Sequence, residues 1–423
     1  MNPNAAKPPI HPAWWVAAVA FIALLAAAGF RAAPGALMVP LHEEFGWSTT
    51  VMSLAVSVNL LLYGLTSPFA AALMDRFGIR QVVAAALALV ALGAGGSIVM
   101  TASWQLVVFW GVLIGLGTGS MALVLAATVA NRWFVRRRGL VMGILTAGSA
   151  TGQLIFLPPV AALAETSGWR VASLLVAGVA LAAIPPVWLI LRDHPEDRGA
   201  IPFGADPATH RAPVRATGSA ARRALEGLAY AARRPSFWAL AVAFAICGAT
   251  TNGLVGIHFI PSAHDHGMAT TAAAGLLAVV GVFDIVGTVF SGWLTDRFDP
   301  RILLVAYYAF RGVGLALLPW LLSDSVHPSM VLFIVIYGLD WVATVPPTAV
   351  LCREIFGERG TIVFGWVFAS HQVGAAGAAL AAGVIRDSFG TYTYAWWGGA
   401  ALCVIAAVLS VAVRRAPASR ASV

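Results

Sequence analysis

The sequence predicts an all-α membrane protein in which twelve transmembrane helices form two pseudo-symmetric six-helix bundles. Three observations carry this prediction. The 423 residues are 60% hydrophobic and only 10% charged, whereas a soluble chain carries about a quarter charged residues. The apolar residues fall into long runs. The cations gather on one side of those runs.

A bilayer core takes about 20 residues of apolar helix. In order, the runs are 13–40, 49–73, 80–100, 104–129, 140–163, 170–191, 237–261, 271–293, 302–322, 329–351, 361–385 and 393–413. They are continuous rather than alternating, which excludes a transmembrane barrel. The first run is longer than the roughly 7–15 residues of a signal-peptide core, so it reads as a retained helix behind a tail at 1–12. Residues 13–191 then make an N-terminal bundle and 237–413 a C-terminal one. The linker at 192–236 ends in a basic amphipathic surface helix around 219–234, and 414–423 form a C-terminal tail.

With the N-terminus in the cytoplasm, 22 of the 26 cations fall in cytoplasmic segments and only Arg170 and Arg386 in outer loops. Arg31 and Arg311 lie within runs. This positive-inside bias places a multi-pass protein in a bacterial-type inner membrane, with both termini cytoplasmic. It also accounts for the net charge of +8 without nucleic acid. Cys247, Cys352 and Cys403 have no paired spacing, so neither a disulfide framework nor a metal site is indicated. No nucleophile–base constellation or phosphate-cradling loop is present. The chain reads as a non-enzyme with no cofactor.

The halves repeat at an offset of 221. Pro40 matches Pro261, and Thr49-Thr50 match Thr270-Thr271. Asp75, Arg76, Phe77 and Arg80 match Asp296, Arg297, Phe298 and Arg301. Arg132 matches Arg353, and Arg138-Gly139 matches Arg359-Gly360. Charged loop residues matching at one fixed offset mark parallel repeats about an axis along the membrane normal, an architecture suited to alternating access.

The loop Asp75-Arg76-Phe77-Gly78-Ile79-Arg80, with its counterpart Gly292 to Arg301, resembles the loop motif of the major facilitator superfamily. Ala71 stands where that motif has its first Gly, and Asp299 where the second copy has its later one. The resemblance covers essentially the whole chain. Trp133-Phe134, Arg136 to Leu140, Gly143, Ala147-Gly148-Ser149 and Gly152 are similar to the monocarboxylate-porter and oxalate/formate-antiporter branch. So are Pro40-Leu41, Glu44 to Ser48, and Gly168-Trp169-Arg170. This resemblance implies a small organic anion carried with a proton or exchanged, by a monomer among membrane lipids. Asp75, Arg76, Arg80, Asp296, Arg297 and Arg301 would be cytoplasmic gate residues. Asp284 sits where the branch has its span 8 Asp, which makes it the expected proton carrier. Thr288 replaces the Arg one turn later, and His371-Gln372 stand where oxalate exchangers have a Lys.

Charges inside a bilayer cost about 2.5–3.5 kcal/mol each on insertion scales, and they face the interior, pair or mark a path. Arg31, in span 1, is the expected carboxylate clamp, because a guanidinium fork fits a carboxylate bidentately. The alternative is a pairing with a carboxylate of the second half. Arg311 is expected to be a structural partner of Asp284 or Asp340, leaving the other for protonation. Asn59, Tyr63, Gln153, Asn252, His258, His371 and Gln372 are candidate cavity residues, with interhelical hydrogen bonding as the competing role. Gly111, Gly115 and Gly119 in span 4 read as sites of close helix approach. Against the small-anion carrier stand two alternatives: an efflux carrier for a bulkier amphipathic compound, and a receptor that binds without translocating.

Overall fold

A computed structural model describes residues 11–207 and 220–413. Lys7, the loop residues 208–219 and the tail from 414 lie outside the described residues. The first bundle comprises α1 (Pro12–Phe45), α2 (Thr49–Phe77), α3 (Ile79–Ser97), α4 (Ser103–Trp133), α5 (Arg138–Thr166) and α6 (Trp169–Ile190). The surface helix α7 (Ala220–Ala231) follows. The second bundle comprises α8 (Pro235–Asp265), α9 (Thr270–Thr295), α10 (Pro300–Leu321), α11 (Pro328–Asp340), α12 (Val345–Phe356), α13 (Gly360–Phe389) and α14 (Thr393–Ala412). Ten stretches of the described residues are apolar and long enough to cross a membrane. One of them, Pro328–Phe389, contains α11, α12 and α13 in succession.

Local chemistry sets the helix starts. Ser48 accepts from the Val51 N–H at the start of α2. His327 caps α11 ahead of Pro328. Asp299 caps α10 ahead of Pro300. Such caps satisfy N–H groups that the helix cannot, and proline at the first position loses nothing because that N–H is orphaned anyway. The repeat solves one cap in two ways. Gly78 occupies the position equivalent to Asp299, has no side chain and sits at φ +86°. The Ile79 N–H is bonded instead by Asp193, from just beyond α6.

Three departures from the expected runs have physical causes. First, α1 continues past Pro40 to Phe45, because its last turn has partners: Glu44 accepts from Trp169 Nε1 and pairs with Arg170. Second, the expected continuous run 329–351 is interrupted at 341–344, between α11 and α12. Pro346 and Pro347 lack the N–H groups that a straight helix would use, and their rings crowd the carbonyls of Val342 and Ala343. Third, α4 and α8 contain wide π-type turns at Val107–Ile114 and Ala249–Val255, which leave carbonyls to be bonded from outside.

The helix ends define two faces. The turns at 46–48, 98–102, 167–168, 266–269, 322–327 and 390–392 make a cation-poor face; the ends near 78, 134–137, 296–299 and 357–359 make a cation-rich one. The bundles meet where α2 packs on α13, α5 on α9 and α1 on α8. Buried apolar contacts cross this junction mainly toward the cation-poor face. Ala36, Leu157 and Ala161 join the core of the second bundle, and Ile257, Ala375, Ala376 and Ala379 join a core of the first. A further core belongs to the first bundle alone, at its cation-rich end.

Candidate functional site

The span 1 cation lies at the junction of the bundles. Arg31 is half-buried on α1, and its Nη1 donates to the Tyr63 hydroxyl at 3.0 Å. Its guanidinium lies 5.3 Å from the centroid of the same ring. The Tyr63 ring in turn meets Phe368 of α13 edge-on at 6.4 Å. Phe368 stacks on His371 with ring planes 4° apart, and His371 also packs against Phe244 of α8. His371 Nδ1 and Gln372 Nε2 are 3.3 Å apart, while Gln372 Oε1 has no partner among the described residues. A string of polar and aromatic groups therefore runs from Arg31 across the junction to His371 and Gln372. Phe368 escaped the sequence reading because one more Phe in an apolar run carries no signal of its own. Its spacing of three residues from His371, one face of a helix, was the available clue.

The other polar candidates lie elsewhere. Asn59 is buried and donates to the Trp110 carbonyl at 2.6 Å, taking up a group in the wide turn of α4. His258 is fully buried. Its Nε2 lies 2.8 Å from the Ala379 carbonyl and its Nδ1 3.4 Å from the Tyr392 hydroxyl, so both ring nitrogens face second-bundle groups. Asn252 is half-buried in the wide turn of α8. Gln153 lies on α5, and its side chain is outside the described residues. The span 4 glycines do permit close approach: a Cβ at Gly119 would come within 2.9 Å of the Tyr63 backbone.

A second polar cluster surrounds the gap between α11 and α12. Arg311 of α10 is fully buried and forms an ion pair with Asp340, Nε to Oδ2 2.6 Å. Its Nη2 donates to the carbonyls of Asp340 (2.8 Å) and Trp341 (3.4 Å), and its Nη1 reaches Cys247 Sγ and Thr250 Oγ1. Asp284 does not pair with Arg311. Its Oδ1 accepts from Thr288 Oγ1 and from the Val342 N–H, each at 3.1 Å. Ser291 donates to the Ala343 carbonyl. The backbone groups released by the gap are thus taken up by side chains of α9 and α10, which is how irregular backbone is tolerated at membrane depth. Among the described residues no group of His, Cys, Asp and Glu is arranged to hold a metal.

The loop residues lie at the cation-rich face. Asp75 pairs with Arg132 at 2.5 Å. Arg76 lies over Phe77, Arg80 over Trp188, and Arg297 over Trp293. Arg301 pairs with Asp299 and reaches the Val413 carbonyl. Asp296 ends α9 and is exposed.

The comparisons with known proteins bear on the family and the fold. The profile of the Major Facilitator Superfamily matches residues 19–364. The MFS-type transporter YcxA of Bacillus subtilis is 26% identical over 415 residues, covering 96% of this chain and 95% of that one. Monocarboxylate transporter 11 of Mus musculus is 31% identical over 327 residues, covering 74% and 67%. Among solved structures, a D-xylose–proton symporter superposes with a TM-score of 0.71 at 16% identity, covering 97% of this chain and 99% of that one. A bacterial homologue of the human lysosomal transporter Spinster, in an inward-facing and occupied conformation, gives the same TM-score at the same identity. The chain is a multi-pass membrane transporter, not an enzyme; it belongs to the Major Facilitator Superfamily and within it resembles the monocarboxylate transporters.

Proposed function

We propose that this transporter moves a small organic anion, of monocarboxylate type, across the inner membrane by alternating access between the two bundles. The observation that carries the reading is the half-buried Arg31 of α1, held by Tyr63 of α2 where α2 packs on α13. A guanidinium there offers a planar fork to a carboxylate, and the aromatic wall of Phe368 and His371 suits a short apolar tail. The names of the monocarboxylate-transporter relatives support the same substrate class. In this reading α11 and α12 are two halves of one crossing, α5 is a crossing too, and twelve crossings put both termini and the cation-rich face in the cytoplasm. The energy source is an inward proton gradient, with Asp284 as the proton carrier, or exchange for an internal anion.

Counterflow separates this reading from a receptor that binds without translocating. Preloaded vesicles will transiently accumulate labelled monocarboxylate. Arg31→Lys, which keeps the charge and loses the fork, is expected to weaken binding about 10- to 100-fold, the range for one charged hydrogen bond, while the carrier stays folded. Undiminished counterflow in Arg31→Lys would show that Arg31 is not the carboxylate clamp. An absence of counterflow for every acid, in folded wild type, would favour the receptor if an acid still binds and the efflux alternative if none does.

A further inference from the structure

Two carboxylates on the cation-poor face cross from one bundle to the other, and each ends on a helix start that its own bundle leaves short of acceptors. Asp387, near the end of α13, accepts from the N–H groups of Thr49 (Oδ1, 3.1 Å) and Thr50 (Oδ2, 2.7 Å) at the start of α2. Glu165, near the end of α5, accepts from the Thr271 N–H at the start of α9 (2.9 Å). The repeat relates the two contacts. Thr50 and Thr271 are equivalent at the offset of 221, and Glu165 and Asp387 fall within one residue of equivalence. At α2, the Ser48 hydroxyl serves Val51 and its carbonyl Met52, so the first two N–H groups are left to the other bundle. At α9, the residue before the helix is Ala269, which has no capping side chain. Capping carboxylates also meet the positive end of the helix dipole.

The carboxylates are anchored from behind. Arg386, beside Asp387, pairs with Asp265 at the end of α8. Beneath the caps lie the buried apolar contacts that join the bundles, and Ser57 of α2 donates to the Ala376 carbonyl of α13 at 2.8 Å. At the cation-rich face Asp75–Arg132 lies within the first bundle and Arg301–Asp299 within the second.

We propose that Asp387 and Glu165 form a reciprocal latch that holds the cation-poor gate shut and must release each time that face opens. This rests on the alternating-access reading. Opening separates α2 from α13 and α5 from α9, which strips three N–H groups of their carboxylate partners at once. Water then solvates them, so the latch sets the ratio of closed to open states rather than blocking the cycle.

The test places spin labels on exposed Ser167 and Ser325, one on each bundle at the cation-poor face, and a second pair on exposed Leu140 and Glu358 at the opposite face. The full chain is reconstituted without substrate. Asp387→Ala and Glu165→Ala should each raise the ratio of long to short distances at the first pair by roughly 2- to 30-fold, the worth of one helix cap. The double variant should approach the product, since the sites are separate. Asp387→Asn, with one acceptor oxygen in place of two, should fall between. The opposite pair should shorten as the first lengthens. Unchanged distributions in the double variant would overturn the latch, and so would broadening at both faces together, which is the mark of a loosened fold. Failure of wild type to transport any acid would instead refute the proposed substrate and leave the distance result to judge the latch.

Discussion

Arg311 brings a full charge into the apolar interior of the second bundle, and its surroundings explain why it is tolerated. Each of its nitrogens has an acceptor: the Asp340 carboxylate, two carbonyls at the helix gap, and the side chains of Cys247 and Thr250. Removing one partner of such a pair strands the other and typically costs about 3–5 kcal/mol, whereas replacing both with apolar residues is often near neutral. Arg311→Leu and Asp340→Leu should therefore each lower the thermal midpoint sharply. The double variant should recover only part of the loss, because the Asp340 and Trp341 carbonyls also lose their donor. A full recovery in a double-mutant cycle would show that the carbonyl bonds contribute nothing. Asp284 permits a sharper contrast. If its role is to accept from Val342 N–H, Asp284→Asn keeps stability and Asp284→Ala loses about 1–3 kcal/mol, the cost of an unsatisfied buried donor. If it also carries the proton, Asp284→Asn abolishes gradient-driven accumulation while the melting curve stays put. All four mid-span charges were legible as residue types. The partner of Arg311 was not, because Asp284 and Asp340 both lie on neighbouring helices and only the packing of α10 against α11 selects between them.

At the level of helices, the recurrent device is an irregular turn whose loose backbone is bonded by a neighbour. Asn59 serves the wide turn of α4. The Tyr337 hydroxyl donates to the Thr250 carbonyl in the wide turn of α8, and Asp284, Ser291 and Arg311 serve the gap between α11 and α12. Hydropathy marks the runs but is blind to these turns, since it sums composition and ignores hydrogen bonds. Nor would Pro346-Pro347 alone have announced the gap: Pro158-Pro159 and Pro185-Pro186 sit within uninterrupted α5 and α6. Close approach is the second device. A Cβ at Gly374 of α13 would run into the Ala245 carbonyl of α8. Gly374→Ala should destabilise the second bundle by about 1–3 kcal/mol, the usual cost of overpacking, and a melting curve matching wild type would show that the two helices can part cheaply.

For the molecule as a whole, the repeat at offset 221 and the cation pattern made the architecture legible in advance, because charged loop residues rarely coincide by chance. What they left open is which ends of the bundles touch. The structure joins them toward the cation-poor face, through a shared apolar core and carboxylates that cap helices of the opposite bundle. None of those residues stands out in the sequence: Glu165 and Asp387 look like ordinary helix-end acids, and their partners are more than 100 positions away. The string from Arg31 to Gln372 is intermediate. Arg31, Tyr63, His371 and Gln372 were singled out one by one, and the structure links them through Phe368. His258 and Asn59, equally polar on paper, instead bond backbone carbonyls of adjacent helices.

The proposed transport of a small carboxylate past Arg31 is read out by accumulation. Purified protein in sealed vesicles would be given a panel of labelled mono- and dicarboxylates, with and without an inward proton gradient and with and without an internal anion. Concentrative uptake of a monocarboxylate under one of those driving forces, lost in Arg31→Lys, is the expected result. Uptake of no acid under any of these conditions by a folded preparation, or uptake indifferent to Arg31→Lys, would contradict it.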